Sequence, residues 1–267
     1  MTQTIDGLEI AYEVHGTTGP WVTFSHSLGC SRKMWSSQIE ALSSTYRVLA
    51  YDLRGHGESE ADATAGSLAL YASDVIALMD GLGIRNSHFV GISVGGMIGQ
   101  TLALKAPERI ASLVLANTTP FMPPAAIPAW LQRIDQAKNK GVASLAAPSL
   151  ERWFPETFRT GHSDLIASLA KEFANTSVQG YVSCCQAIMT VDTRNELERI
   201  ACPTLIIAGS QDPGAPAEVL QQLKRIPNSE LLVIEGAGHL SNIDHPEQFT
   251  TALKSFLDRN ASVTAKL

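Results

Sequence analysis

The sequence predicts an α/β fold in which a mostly parallel sheet carries helices on both faces. In residues 1–118 and again in residues 200–267, short apolar runs alternate with amphipathic runs, as strands alternate with helices in such folds. Between them, residues 119–199 contain no convincing strand and give short amphipathic helical runs. We therefore expect a core formed by residues 1–118 and 200–267. An all-helical cap, residues 119–199, is expected between strands six and seven, over the sheet edge where ligands bind in such folds.

The first part of the predicted core contains several apolar runs of strand length. Residues 7–16 alternate apolar and polar side chains, as an edge strand does. Leu68, Tyr71 and Val75 fall on one face of a helix. The other predicted strands are 21–25, 46–51, 87–92 and 111–116, and the predicted helices are 34–43, 68–82 and 94–107.

The strand pattern resumes after the cap. Strands are predicted over residues 202–209 and 230–235, and a last helix follows them. At the start of that helix, Asp244 and Glu247 flank Pro246 and predict a capping box.

Composition excludes several classes of function. The chain of 267 residues has a formal net charge of −6 and no run of Lys or Arg, so we expect neither nucleic acid nor a membrane surface as partner. The four cysteines have no zinc-site or disulfide spacing, and we expect no metal and no cofactor. With no signal peptide apparent, a cytoplasmic location is expected. A small-molecule substrate is the expected partner, and a homo-oligomer is possible.

A candidate nucleophile lies where a strand turns directly into a helix. Gly91-Ile92-Ser93-Val94-Gly95 matches G-x-S-x-G between the apolar run 87–92 and the helical run that follows. Such a turn exposes the serine in a strained conformation, and side chains two residues before and after it would collide. The following helix directs its N–H groups at the place where an oxyanion would form. Ser93 is therefore the predicted nucleophile.

A serine nucleophile needs a base and an orienting carboxylate. Of the seven histidines, His239 follows the last predicted strand in a Gly-flanked loop after the serine. Asp212 follows the preceding strand and lies between Ser93 and His239 in chain order. We predict His239 as base and Asp212 as acid. Asp52 also ends a strand, but it precedes the serine and is interpreted as a turn residue.

Two backbone N–H groups are needed to bind an oxyanion. Val94 directly follows the nucleophile and supplies one of them. We assign the second to Leu28, in the loop after the strand 21–25. His26, in the same loop, is predicted to shape the loop.

Together these motifs resemble the α/β-hydrolase fold family over nearly the whole chain. Within it, the sequence is most similar to the 3-oxoadipate enol-lactonases of aromatic catabolism. Two positions depart from that group's pattern: Val94 replaces its usual methionine, and the loop 212–216 differs in sequence. The motifs that carry the resemblance are His26-Ser-Leu-Gly29, Asp52-Leu-Arg-Gly-His-Gly-Glu-Ser59, Gly91-Ile-Ser-Val-Gly-Gly96, Gly209-Ser-Gln-Asp212, Gly236-Ala-Gly-His239, Arg152-Trp-Phe154 and Gly180-Tyr-Val-Ser-Cys-Cys-Gln-Ala187.

The resemblance implies a serine hydrolase that opens a small lactone bearing a carboxylate, 3-oxoadipate enol-lactone. Such a substrate calls for a cation in the cap, and we predict that Arg133, Arg152 and Trp153 bind it. A general carboxylesterase with the same triad is the first alternative. A C–C bond hydrolase of this fold and a small-molecule receptor that retains the triad also remain open.

Overall fold

The computed structural model describes residues 1–261, so the last residues of the predicted core, 262–267, lie outside the described part. The described residues form one eight-stranded sheet in the order β1-β2-β4-β3-β5-β6-β7-β8. β1 pairs antiparallel with β2 and β2 with β4, whereas every later pair is parallel. The predicted mostly parallel sheet is therefore confirmed. The strands are β1 (Thr2–Ile5), β2 (Leu8–His15), β3 (Trp21–Ser25), β4 (Arg47–Tyr51), β5 (Ser87–Ile92), β6 (Ile110–Ala116), β7 (Thr204–Gly209) and β8 (Ser229–Ile234).

Helices cover both faces of this sheet. α1 packs against α11 on one face, and α2 packs against α3 on the other. The α-helices are α1 (Ser36–Leu42), α2 (Leu68–Gly81), α3 (Val94–Lys105), α4 (Ile127–Lys140), α5 (Ala146–Trp153), α6 (Glu156–Gly161), α7 (Ser163–Ala174), α8 (Val178–Met189), α9 (Ala217–Leu223), α10 (Ser241–Asp244) and α11 (Pro246–Asn260).

The order of the central strands places two loops side by side. β3 lies between β4 and β5, and Ser25 at its end pairs with Gly91 near the end of β5. The loop after β3 therefore meets the turn after β5 at the carboxyl edge of the sheet. In open α/β sheets, ligands bind at this edge.

The cap is helical, as predicted. Between Ala116 and Thr204, all of which the structure describes, the chain adds no strand to the sheet and forms α4 to α8. The two ends of this insertion meet: Phe121 forms an isolated antiparallel bridge with Asp192, and the Thr193 N–H donates to the Pro120 carbonyl at 2.8 Å. The exact division of the chain at residues 119 and 199 stays a prediction.

Two local features differ from expectation. The four-residue strand β1 was not predicted, because Thr2–Ile5 is too short and too polar to give a strand signal; only with it do six strands precede the cap. The predicted capping box is wrong. His245 is the N-cap of α11 and makes no side-chain capping bond, while Asp244 accepts a hydrogen bond from the Gly238 N–H at 2.6 Å. The Asp244 carboxylate is therefore bonded to the loop before α10 and does not cap α11.

Among residues 1–261, no helix combines the length and the hydrophobicity needed to cross a membrane.

Candidate active site

The turn at Ser93 has the strained geometry that its sequence predicts. Ser93 has φ 55° and ψ −118°, a conformation that side chains rarely adopt, and it joins β5 directly to α3. A Cβ built on Gly91 would lie 2.2 Å from the Gly95 carbonyl oxygen. A Cβ built on Gly95 would lie 2.3 Å from the Ser25 carbonyl oxygen. Both glycines are therefore required by close backbone contacts, and the half-buried serine is left facing the cleft.

The structure brings Ser93, His239 and Asp212 together from three separate loops. His239 Nε2 lies 3.0 Å from Ser93 Oγ, and His239 Nδ1 lies 2.9 Å from Asp212 Oδ2. Because an ionised carboxylate only accepts hydrogen bonds, the imidazole proton belongs on Nδ1. Nε2 is then free to accept the proton of the serine hydroxyl. This is the geometry of a nucleophile, a base and an orienting acid.

Asp212 is held in its ionised form. Burial opposes ionisation, but the charge and hydrogen bond of His239, the amide of Asn117 and the N–H of Gly214 outweigh it and lower the pKa of Asp212. The Gly214 N–H donates to Oδ1 at 2.8 Å, and Asn117 Nδ2 donates to Oδ2 at 3.0 Å. Asp212 is thus a fixed negative charge beneath the imidazole.

The two predicted oxyanion donors lie at the edge of the sheet that carries Ser93. Val94 directly follows Ser93 and begins α3, and Leu28 lines the same cleft as Ser93. Within residues 1–261, the backbone N–H groups of Leu28 and Val94 have no hydrogen-bond acceptor in the protein. Both N–H groups are therefore available to a bound oxygen. Their role in oxyanion binding stays a prediction.

His26 holds the loop that carries Leu28. Its Nδ1 donates to the Ser27 carbonyl at 2.8 Å, and its Nε2 accepts from the Leu53 N–H at 2.9 Å. Burial lowers the pKa of His26 to about 4, so the ring is neutral at pH 7 and can make both bonds at once. This arrangement fits the predicted loop-shaping role.

Asp52 serves a different purpose from a catalytic acid. It is fully buried and forms an ion pair with Arg32, whose backbone N–H also donates to it at 2.7 Å. A further bond comes from the Glu58 N–H at 2.9 Å. Asp52 therefore closes the turn after β4, as interpreted from the sequence.

Above Ser93 lies a cleft of about 610 Å³ between the sheet and the cap. The three cap residues predicted to bind substrate, Arg133, Arg152 and Trp153, all line it. Most of the apolar wall of the cleft was not predicted from the sequence, since its residues belong to separate segments and carry no motif. The missed side chains include Met97, Phe121, Met122, Trp130, Ile188 and Val219.

The two arginines bring positive charge to this apolar wall. Within the described chain, neither Arg133 nor Arg152 forms an ion pair with a carboxylate. The Arg133 guanidinium lies over the Trp130 ring, 4.6 Å from its centroid. Although part of Arg152 is exposed to solvent, burial of its guanidinium and the charge of Arg133 lower its pKa to about 10. It remains charged at pH 7. The cleft thus holds two cations that an anionic ligand would neutralise.

Trp153 links the cap to His239. Its ring stacks on the His239 ring at a centroid distance of 6.3 Å and an angle of 24°. Its backbone carbonyl accepts the His239 N–H at 2.7 Å. The side chain, only 5% exposed, also packs on Phe173 at 5.5 Å. Trp153 therefore contacts His239 through both its ring and its backbone.

Neither a metal site nor a reactive thiol is evident in the part of the chain that the structure describes. In residues 1–261, no group of three His, Cys, Asp or Glu side chains is arranged to hold a metal ion. Cys30, Cys184 and Cys185 are buried and Cys202 is partly buried. Burial raises the pKa of all four thiols. They are poor nucleophiles in this state.

Comparisons with known proteins place the chain in a family. Residues 15–246 match the family described as alpha/beta hydrolase fold. The chain is 36% identical over 260 residues to 3-oxoadipate enol-lactonase 2 of Acinetobacter baylyi, which covers 97% of this chain and 96% of that one. It is 31% identical to a putative carbamate hydrolase of Stutzerimonas stutzeri, over 92% of this chain and 96% of that one. The crystal structure of the enol-lactonase from Burkholderia xenovorans superposes with a TM-score of 0.91 at 34% identity, over 97% of this chain and 100% of that one.

Proposed function

The chain belongs to the alpha/beta hydrolase fold family and is an ester or lactone hydrolase, and we propose that it opens 3-oxoadipate enol-lactone through an acyl-enzyme on Ser93. The observation that carries this proposal is the chain of contacts from Ser93 through His239 to Asp212, at 3.0 and 2.9 Å. Above it lies a cleft lined by two arginines that have no carboxylate partner among residues 1–261. The similarity to enol-lactonases supports the substrate.

In the first half of the reaction, the Ser93 hydroxyl attacks the lactone carbonyl while its proton passes to His239 Nε2. The N–H groups of Leu28 and Val94 bind the oxyanion that forms. Asp212 stays ionised and stabilises the imidazolium through Nδ1, because its pKa is lowered. When the ring C–O bond breaks, His239 returns the proton to the enol oxygen.

In the second half, a water molecule takes the place of the enol oxygen. His239 accepts a proton from the water, which attacks the acyl carbon and forms a second oxyanion in the same pocket. Collapse of this intermediate breaks the bond to Ser93 Oγ, and His239 returns the proton to the serine. The products are the carboxylic acid and the enzyme in its starting state. An enol is a better leaving group than an alcohol, which suits a lactone of this type.

The proposed substrate carries a free carboxylate, and we propose that Arg133 and Arg152, which line the cleft, bind it. A charge-assisted hydrogen bond contributes about 1.5–3 kcal/mol, which is roughly a 10- to 100-fold effect on binding. In a mostly apolar cleft, that contribution selects an anionic substrate over a neutral one.

The discriminating experiment compares kcat/KM for the enol-lactone, for its neutral methyl ester and for 4-nitrophenyl acetate. We expect the lactone acid to be favoured over 4-nitrophenyl acetate by at least about tenfold, one step of 1.4 kcal/mol. Arg133→Ala and Arg152→Ala should reduce turnover of the acid alone and leave the neutral ester unchanged. Lys138→Ala, on the same helix as Arg133, is the control for removal of a cap charge.

A general carboxylesterase is the second candidate, and the wide, largely apolar cleft favours it. Equal kcat/KM for the lactone and for 4-nitrophenyl acetate would favour a general carboxylesterase over an enol-lactonase. Carbamates and vinylogous diketones in the same panel test for a carbamate hydrolase, suggested by the second relative, and for a C–C bond hydrolase. Tight binding without turnover of any compound would indicate a receptor.

A further inference from the structure

The polar groups behind Asp212 and His239 converge on one side chain, Asn117. It follows β6 directly, is 2% exposed and has φ 46°, a left-handed conformation that asparagine tolerates better than most residues. Its N–H donates to the Ile207 carbonyl at 2.8 Å, which ties this backbone to β7. The side chain therefore starts from a fixed point below the cleft.

The amide of Asn117 joins the acid to the loop that carries the base. Nδ2 donates to Asp212 Oδ2 at 3.0 Å and to the Gly238 carbonyl at 3.1 Å. Oδ1 accepts from Ser241 Oγ at 2.5 Å. If the amide were reversed, its oxygen would face two acceptors, so the bond from Ser241 and these two contacts together fix one orientation.

We propose that Asn117 is a positioning residue for hydrolysis, which holds the Asp212 carboxylate and the Gly238–His239 peptide in the geometry that orients the imidazole. This inference rests on the proposed function of Ser93, His239 and Asp212. Although Asn117 borders the cleft, both of its amide hydrogens and its carbonyl oxygen already have protein partners. It acts through Asp212 and the His239 loop, and we expect no direct contact with substrate.

The same loop is held from two other sides. Asp244 accepts the Gly238 N–H at 2.6 Å, and the Trp153 carbonyl accepts the His239 N–H at 2.7 Å. Neither contact reaches the carboxylate of Asp212. The Gly214 N–H holds Oδ1 of that carboxylate, whereas Oδ2, the oxygen that faces His239 Nδ1, is held from behind by Asn117. Without the Asn117 amide, Oδ2 keeps only the imidazole as partner, so the carboxylate can turn about its bond to Gly214 and the fraction of enzyme with a correctly oriented base falls.

Two variants remove the side-chain amide of Asn117, one without backbone strain and one with it. Asn117→Gly tolerates the positive φ, and Asn117→Ala does not. Asn228 is a matched control, since it is exposed, lies in the turn before β8 and has φ 56°. Asn228→Gly and Asn228→Ala therefore measure what the same two substitutions do at an asparagine of positive φ that lies outside the site. We expect both Asn117 variants to lower kcat on 4-nitrophenyl acetate by about 10- to 100-fold, the effect of losing a hydrogen bond to a charged group. KM should change less than about twofold.

A double-mutant cycle separates positioning from a general effect on the fold. The readout is the rate at which a fluorophosphonate labels Ser93, followed by intact mass. In the Asp212→Ala background, Asn117→Gly should slow labelling by about threefold or less, because the carboxylate through which it acts is absent. If Asn117→Gly slows labelling by the same factor in both backgrounds, or if it has wild-type kcat, the inference is overturned. Ser93→Ala is measured beside them. If it keeps the wild-type rate, the proposed function fails and this inference fails with it. If it is inactive while Asn117→Gly is fully active, the inference alone fails.

Discussion

Replacing Gly95 with alanine tests how closely the turn after β5 must approach the loop after β3. A Cβ at this position would lie 2.3 Å from the Ser25 carbonyl oxygen and 3.0 Å from that of His26. Both neighbours are backbone atoms at the end of β3, so neither can rotate away as a side chain would. Restoring even the shortest tolerated contact, 3.0 Å, requires a shift of about 0.7 Å between α3 and the loop.

That shift separates the two groups proposed to bind the oxyanion, because Val94 lies on α3 and Leu28 on the displaced loop. Misplacement on the order of 1 Å lowers turnover by about 100-fold, and loss of one oxyanion donor lowers kcat by about 100- to 1000-fold. We therefore expect Gly95→Ala to lower kcat about 100-fold. KM should change by less than about threefold, because the cap wall is untouched. Overpacking should also lower the free energy of unfolding by about 1–3 kcal/mol.

The assay is steady-state hydrolysis of 4-nitrophenyl acetate at a temperature where urea titration shows the variant to be folded. Gly161→Ala is the control: a Cβ there meets nothing within 4 Å, and its φ is not positive. Folded Gly95→Ala with at least half of the wild-type kcat would refute the reasoning from backbone contact.

Three further predictions concern the buried histidines, the cap and the cysteines. Burial lowers the pKa of His26 and of His88 to about 4, below the ordinary 6.5, so the unfolded chain binds more protons than the native chain between these values. The free energy of unfolding should therefore fall as pH falls through this window, by up to about 3 kcal/mol per histidine. In urea titrations at several pH values, His88→Gln should make the free energy of unfolding depend less steeply on pH. An unchanged pH dependence in this variant would contradict the prediction. Trp153→Phe should raise KM for bulky esters more than it lowers kcat for 4-nitrophenyl acetate, because the backbone carbonyl that holds His239 remains; equal losses on both would mean that the side chain supports the fold instead. Iodoacetamide should leave activity unchanged and spare Cys184 and Cys185, which are fully buried; inactivation that tracks alkylation of either, by mass spectrometry, would count against this.

The site was predictable where a short motif follows a strand. Ser93, Asp212 and His239 each come after the end of a strand in the expected chain order, and the carboxyl ends of parallel strands share one edge. The same rule would have found Asn117, a polar residue directly after β6, had it been applied beyond candidate acids. Its contacts with Asp212 and Gly238 depend on residues 95 and 121 positions away, which no local pattern reveals.

The features that could not be predicted from the sequence depend on tertiary packing. The apolar wall of the cleft comes from several segments whose side chains resemble any other core residues. Asp244 fits a capping pattern locally, yet it bonds to the Gly238 N–H, because folding brings that donor within 2.6 Å. β1 is stabilised by pairing with β2, which adjoins it, and its own four residues carry little strand signal.

Trapping the acyl-enzyme shows which residue is the nucleophile. The wild-type protein is quenched with acid during turnover of 4-nitrophenyl acetate, and the digested protein is analysed by mass spectrometry. We predict a single acetyl group on Ser93, absent from Ser93→Ala, whose kcat should be lower by a factor on the order of 10⁴ or more. An acetyl group on another residue that turns over at the steady-state rate, or a Ser93→Ala protein with wild-type kcat, would contradict the assignment of Ser93 as the nucleophile.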